Sequence, residues 1–431
     1  MVKLGTVVAL ASWLAHSRYN ISSAAIIPMN TEPSLRRSLS LIMITFFGLG
    51  NILGAGIYVL VGKVAGEAGY YAPLAFFVAS VIAALSAFTY AELSSRYPVS
   101  AGVAAFLYQA FRSRHLSVVV GLMIVLAVLV STSVLMRGFA GYLQVLIDVP
   151  GWLITSSLAL ALGLLVAAGI NASVRVAALF TLIEIAGLLL IIFYGGDYLL
   201  QSKAPVEAAD QQLGFVGVSG ILAGAFLAFY AYMGFEDMVN VAEEVKDPEK
   251  NMPRGILLAL LISTILYGLV SSIAIWVVPP AELAASDAPL AAVYQAASGH
   301  SPQLMSVIGL FAVLNGALVQ LIMASRMLYG LANKGWLPVF LSRINPVTRT
   351  PLHAILLVVL VVAILSLLFE LVTLAQLTSY IILSVFALVN LALLVIKKTQ
   401  PAPSGVAIYP AWVPLLGFIS SLGFVVHALF S

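Results

Sequence analysis

Eleven apolar runs of roughly 17–25 residues divide this chain, beginning near Leu39, Ala72, Leu116, Trp152, Val174, Gly217, Ile256, Leu304, Leu352, Leu371 and Ala407. Each is read as a helix crossing a bilayer, because in hydrocarbon only a helix or a closed barrel satisfies every backbone N–H and C=O. The Pro, Gly and charge clusters fall between the runs, in KAPVEAADQQ, EEVKDPEKNMPRG, PPAELAASDAPL, NKGWLPVFLSRINPVTRTP and KKTQPAPSG. None of these is long enough for a separate soluble domain. Of 431 residues, 62% are hydrophobic and 9% charged, against roughly 25% charged in a soluble domain. The fold class that follows is a polytopic all-α membrane protein.

Several chemistries are excluded by the same residues. Without cysteine there is no disulfide framework, Cys-ligated zinc or thiol nucleophile. The five histidines are scattered without metal-ligand spacing, so no metal site is assigned. No nucleotide-binding P-loop occurs, no cofactor is called for, and a net charge of +3 is too small to point to nucleic acid.

Lys and Arg set the orientation. With the amino terminus cytoplasmic, all 20 fall on the inner side except Lys63 and Lys203 outside and Arg137 within a span. That bias holds across eleven crossings and leaves the carboxyl terminus extracellular or periplasmic, in a plasma membrane. Leu4–Ala15 is too short to span and has the length of a signal-peptide core. It is read as a mobile or interfacial part of a cytoplasmic segment, residues 1–37, with a cleaved signal as the alternative.

The first span carries seven glycines between Gly48 and Gly69, each costing about 1 kcal/mol relative to Ala in a helix interior. One reading is close helix packing through Gly50-x-x-x-Gly54. The other is a helix that breaks at Gly54-Ala55-Gly56, which membrane depth tolerates only where the backbone lines a cavity. Five spans later FLAFYAYMGFEDMVNVAEEVKDPEKNMPRG places Gly234 before the acidic pair Glu236 and Asp237, again where charge is costly. Interruptions at corresponding positions of two five-span halves point to an inverted-repeat transporter with its site between two broken helices.

Four stretches in order, GNILGAGIYVLVG, AFTYAELSSRYPVSAG, FYAYMGFEDMVNVAEEVKDPEKNMPRGI and ASRMLYGLANKGWLPVFLSRINPVTRTP, resemble the amino acid-polyamine-organocation transporters, closest to the bacterial and cationic-amino-acid-transporter branch. The resemblance implies a LeuT-like 5+5 inverted repeat with broken helices 1 and 6. Residues 38–400 would form a ten-helix core (38–198 and 213–400), with 401–431 an accessory transmembrane helix. It implies alternating access, spans 1, 2, 6 and 7 rocking against spans 3, 4, 8 and 9.

The site carried over by the resemblance binds an amino acid zwitterion by backbone. N–H groups of Ala55, Gly56 and Ile57 receive the carboxylate, as helix N-termini commonly hold anions. Carbonyls of Leu53, Tyr230, Ala231 and Met233 receive the ammonium, with Gly54 and Gly234 at the breaks. Phe229 and Tyr232 are gate or packing aromatics, and Glu236 is a ligand for loosened backbone. With no other fixed carboxylate there, a neutral substrate is expected.

Glu184 lies about twelve residues into the fifth span, roughly 18 Å deep at 1.5 Å per residue. An uncompensated charge there costs several kcal/mol, so the carboxyl is expected to be protonated, paired or hydrogen-bonded. Aligned on Arg175, it falls where proton-coupled relatives have a lysine in place of a sodium ion. Glu184 is therefore read as the coupling residue for a proton, with a structural hydrogen bond and a sodium site as alternatives.

Glu92 and Arg96 at a span end are read as solvated charge or caps, with a gate ion pair to Arg326 or Lys334 as the rival. Arg137 is expected to snorkel. The function expected is proton-coupled symport of a neutral or broad-range amino acid, without covalent chemistry or an obligatory protein partner beyond the lipid bilayer. An amino acid, amine or polyamine exchanger and a transporter-like sensor are the alternatives.

Overall fold

The computed structural model describes residues 37, 39–54, 56–99, 102–167, 174–201, 204–333, 335–346, 348, 350–401 and 403–430. The expectations for residues 1–36, for Ala55, and for Lys203, Lys334 and Arg349 lie outside them.

Among the described residues the regular structure is helical, with one isolated bridge between Leu39 and Val245. Span 1 is two helices, α1 (Leu41–Leu53) and α2 (Gly56–Ala68). Then come α3 (Ala72–Arg96), short α4 (Gly102–Phe111), α5 (Arg114–Gln144), α6 (Gly151–Ala167) and α7 (Val174–Gln201). The second set comprises α8 (Ala204–Phe229), α9 (Pro248–Val277), short α10 (Pro280–Ala285) and α11 (Pro289–Ser298), α12 (Gln303–Asn333), α13 (Leu352–Leu368) and α14 (Leu371–Thr399). Last comes α15 (Trp412–Phe430). Eight helical stretches have the length and hydropathy to cross a bilayer alone, and α1, α4, α6 and α13 are apolar but shorter.

Local chemistry sets the ends. Ser40 and Ser113 cap α1 and α5 by accepting from Met43 N and Leu116 N, satisfying otherwise orphaned donors. Proline stands in the first turn of α3, α9, α10 and α11, where its missing N–H costs nothing. Pro248 starts α9 eight residues ahead of the apolar run at Ile256. α15 starts later than its run at Ala407 because the strap 403–411, a turn at 404–406 and then irregular chain, is held by bonds at Ala407 and Tyr409.

The cores of the two sets pack on each other. The second span, α3, lies on the seventh, α9, and the third, α5, lies on the eighth, α12. At the end where α1 starts, Leu39 N donates to Glu244 O and Lys246 N to Leu39 O, tying spans 1 and 6 together.

The solvated-charge reading of Glu92 is corrected here. Glu92 is wholly buried. Its Oε1 accepts from Arg96 Nε and Nη2 at 3.0 and 2.8 Å, and its Oε2 from Lys397 Nζ at 2.7 Å and Tyr409 N at 2.9 Å. Four donors on one carboxylate offset its desolvation. The partner on another span is Lys397 of α14; the alternative at Lys334 lies outside the described residues. Glu92→Leu strands Lys397 and Arg96 and is expected to cost about 3–5 kcal/mol, read as a lowered thermal midpoint in detergent.

Arg137 also differs from expectation. Rather than snorkelling, its Nε donates to Ser366 O at 2.7 Å and its Nη2 to Leu367 O. Those carbonyls close α13, where a cation complements the helix dipole. Lys63 acts likewise on α10, donating to Ala284 O at 2.6 Å with Asp287 at 3.8 Å.

Candidate functional site

Both expected breaks occur, and they touch. α1 ends at Leu53, and Gly54 (φ −38°, ψ −86°) leaves the helical path before Gly56 starts α2. α8 ends at Phe229 and tightens into a 3-10 turn, Tyr230–Tyr232. Met233 is then extended (φ −68°, ψ 150°), Gly234 takes φ +120°, and a 3-10 helix runs Glu236–Glu244. Gly234 occupies backbone space that a side chain rarely enters.

Two close approaches bring the breaks together. A Cβ on Gly56 would land on the Ala231 backbone, and one on Gly234 would stand 2.7 Å from the Asn51 carbonyl. The glycines thus serve both purposes raised by the sequence, broken helix at Gly54–Gly56 and close packing elsewhere, as where Gly62 meets the Leu283 carbonyl.

The hydrogen bonds freed by the breaks are partly reassigned within the protein. Tyr267 on α9 lies with its hydroxyl 2.6 Å from Ile52 O and 2.9 Å from Ala231 O, spanning both broken helices. Met233 N donates to Tyr230 O. Glu236 Oε2 accepts from Gly234 N at 2.8 Å, the role of a ligand for loosened backbone. Leu53, Gly54, Gly56, Ile57, Tyr230, Ala231 and Gly234 are buried together, and Met233 is half-buried.

The flanking aromatics pack on neighbouring rings. Phe229 meets Phe386 at 5.8 Å between centroids, and Tyr232 meets Tyr267 edge-on at 5.1 Å. Tyr230 instead points its hydroxyl to α5, 2.8 Å from Ser131 Oγ. Gln320 on α12 donates to the same Ser131 oxygen and accepts from Thr132. This chain joins spans 3, 6 and 8 through uncharged groups.

Glu184 is wholly buried on α7. Its Oε1 accepts from Asn315 Nδ2 on α12 at 3.4 Å, and Oε2 has no hydrogen-bond partner among the described residues. Its main-chain oxygen accepts from Tyr58 on α2, whose own carbonyl accepts from Tyr142 on α5, both at 2.5 Å. Gly54 faces the Ala312 carbonyl, one turn before Asn315. Glu184 is therefore fixed to α2 by backbone and to α12 by its carboxyl. One long amide bond does not offset a buried charge, so the position suits the neutral acid, or the anion with a cation beside it.

Sequence reasoning singled out the breaks, Glu184 and Glu236 but missed Tyr267, Ser131, Gln320 and Asn315. The last three carried a signal, being amide or hydroxyl side chains inside apolar runs. Tyr267 carried none.

The chain matches the amino acid permease family over residues 39–431. It is 31% identical to the branched-chain amino acid permease BcaP of Bacillus subtilis (strain 168), over 86% of this chain and 83% of that protein. It is 31% identical to the vacuolar cationic amino acid transporter 4 of Arabidopsis thaliana, over 89% of this chain and 67% of the relative. To the methylthioribose transporter of Bacillus subtilis (strain 168) it is 29% identical, over 90% and 87%. With two broken helices crossing at a buried site and these relatives, the chain belongs to the amino acid permease family of amino acid-polyamine-organocation membrane transporters.

Proposed function

We propose that the protein is a secondary active transporter that carries a neutral amino acid by alternating access, coupled to a proton at Glu184. The observation that carries this reading is the crossing of the two breaks. An amino acid presents an anion and a cation on neighbouring atoms, and a broken helix offers N–H groups at the start of one half and C=O groups at the end of the other. In this reading the Gly56 and Ile57 N–H groups, with Ala55, take the carboxylate. The Leu53, Tyr230, Ala231 and Met233 carbonyls take the ammonium, each with its second lone pair where the first is engaged.

Local charge supports a neutral substrate. Glu236 is spent on Gly234 N, and the groups around Tyr230, namely Ser131, Thr132 and Gln320, are uncharged. The relatives are named for branched-chain amino acids, cationic amino acids and methylthioribose, so the substrate reading rests on this chain's own site. Residues 38–198 and 213–400 are the two repeats, 401–431 the accessory helix, and the Lys- and Arg-rich end is cytoplasmic in the plasma membrane.

Purified protein in liposomes, offered a panel of labelled amino acids, tests this. Accumulation above equilibrium under an inward proton gradient, lost when an ionophore collapses it, is the expected result. Uptake indifferent to the gradient and dependent on preloaded substrate would identify an exchanger instead. Tyr267→Phe removes the hydroxyl shared by Ile52 O and Ala231 O. At about 1 kcal/mol for a hydrogen bond, apparent affinity is expected to fall about fivefold, measured as KM for uptake.

A further inference from the structure

Polar side chains recur along α3 at Ser86, Thr89, Glu92 and Ser95, a stripe that winds about 60° around the helix at each step of three. Each finds a partner on α14 or on the strap that follows it, and the Ser95 hydroxyl also donates to Glu249 O on α9 at 2.6 Å. Asn390 on α14 meets Thr89 Oγ1 at 2.5 Å and donates to Ser86 Oγ at 3.0 Å. One turn on, Tyr90 and Phe386 rings pack at 5.3 Å. Lys397 Nζ reaches Glu92 at 2.7 Å and also donates to Tyr409 O, while Tyr409 N donates to the same carboxylate. Both polar groups of the Tyr409 peptide are therefore held by one ion pair. Ala407 N donates to Ser95 Oγ, and Tyr97 OH to Gln400 Oε1.

Such a seam resists separation. Glu92, Ser86, Thr89, Ser95 and Asn390 are all buried, and parting the helices at membrane depth would leave their polar groups without water to replace the bonds. α15 packs on both α3 and α14, covering the seam from a third side.

We propose that α3, α14, the strap 403–411 and α15 form one rigid body that holds together through the transport cycle. This goes beyond the alternating-access reading, on which it rests. It departs from the grouping that the family resemblance implies, in which span 2 rocks with spans 1, 6 and 7. Either spans 10 and 11 travel with span 2, or span 2 stays while spans 1, 6 and 7 move.

The chain has no cysteine, so a cysteine pair introduced as Ser95→Cys and Ala407→Cys has no background. Bridging it with a short bis-methanethiosulfonate reagent is expected to leave the rate of amino acid uptake in liposomes unchanged. Uptake lost on bridging and regained with dithiothreitol would overturn the proposal. A second measurement needs no transport. Spin labels at Val99 and Lys398 are expected to give a single narrow distance with and without saturating amino acids, and two distances would overturn it. If the unsubstituted protein takes up no amino acid while that distance stays single, the transport reading fails and the rigid body stands.

Discussion

Gly56→Ala is expected to abolish amino acid uptake while the protein still reaches the membrane. The added methyl group falls on the Ala231 backbone, which has no rotamer by which to give way. The two breaks must part, and the N–H groups of α2 move off the carbonyls of span 6. A shift of about 1 Å in reacting or binding groups costs on the order of 100-fold, so uptake is expected to fall by at least about that factor. α1 and α2 keep their own helical bonds, and membrane insertion, judged by yield in purified membranes, stays near wild type. Uptake within a few-fold of wild type would show that the crossing is ordinary packing.

Glu184→Gln separates coupling from binding. The amide keeps the shape of the acid and retains an oxygen for Asn315 Nδ2, but it neither gains nor loses a proton. Under the proposed function, uptake driven by an inward proton gradient falls to the level of uptake without one, while substrate exchange between equal pools continues. The measurement is the ratio of the two uptake rates, above one in wild type and expected to be one in the variant. A variant that keeps gradient-driven, pH-dependent accumulation would remove Glu184 from coupling and leave it a hydrogen-bonding residue between α7 and α12.

What could be read from the sequence was what short-range chemistry decides. Length and hydropathy place spans such as α3 and α12 within a residue or two. Glycine, with no side chain to hold a helix together or apart, marks both breaks. Loop helices were lost because α10 and α11 are too short for an apolar period and owe their form to proline at the first turn and to the glycines of α2 beneath them. The ion cluster was lost because Glu92 and Lys397 lie on different spans with most of the chain between them. A carboxylate at a span end looks solvated until the fold covers it. Tyr267 shows the same limit at the site: inside an apolar run a tyrosine reads as packing, and only the crossing of α1 and span 6 brings two free carbonyls to its hydroxyl.

The winding of Glu236–Glu244 carries a length with it. Nine residues at about 2.0 Å per residue in a 3-10 helix cover about 18 Å, whereas the same nine at 1.5 Å in an α-helix cover about 13.5 Å. Val245 follows directly and pairs with Leu39 at the head of span 1. An α-helical version of this stretch would stop roughly 4.5 Å short of that partner. The tighter coil is thus a spacer: it trades hydrogen-bond quality for reach, and the tether between the two broken spans depends on the difference.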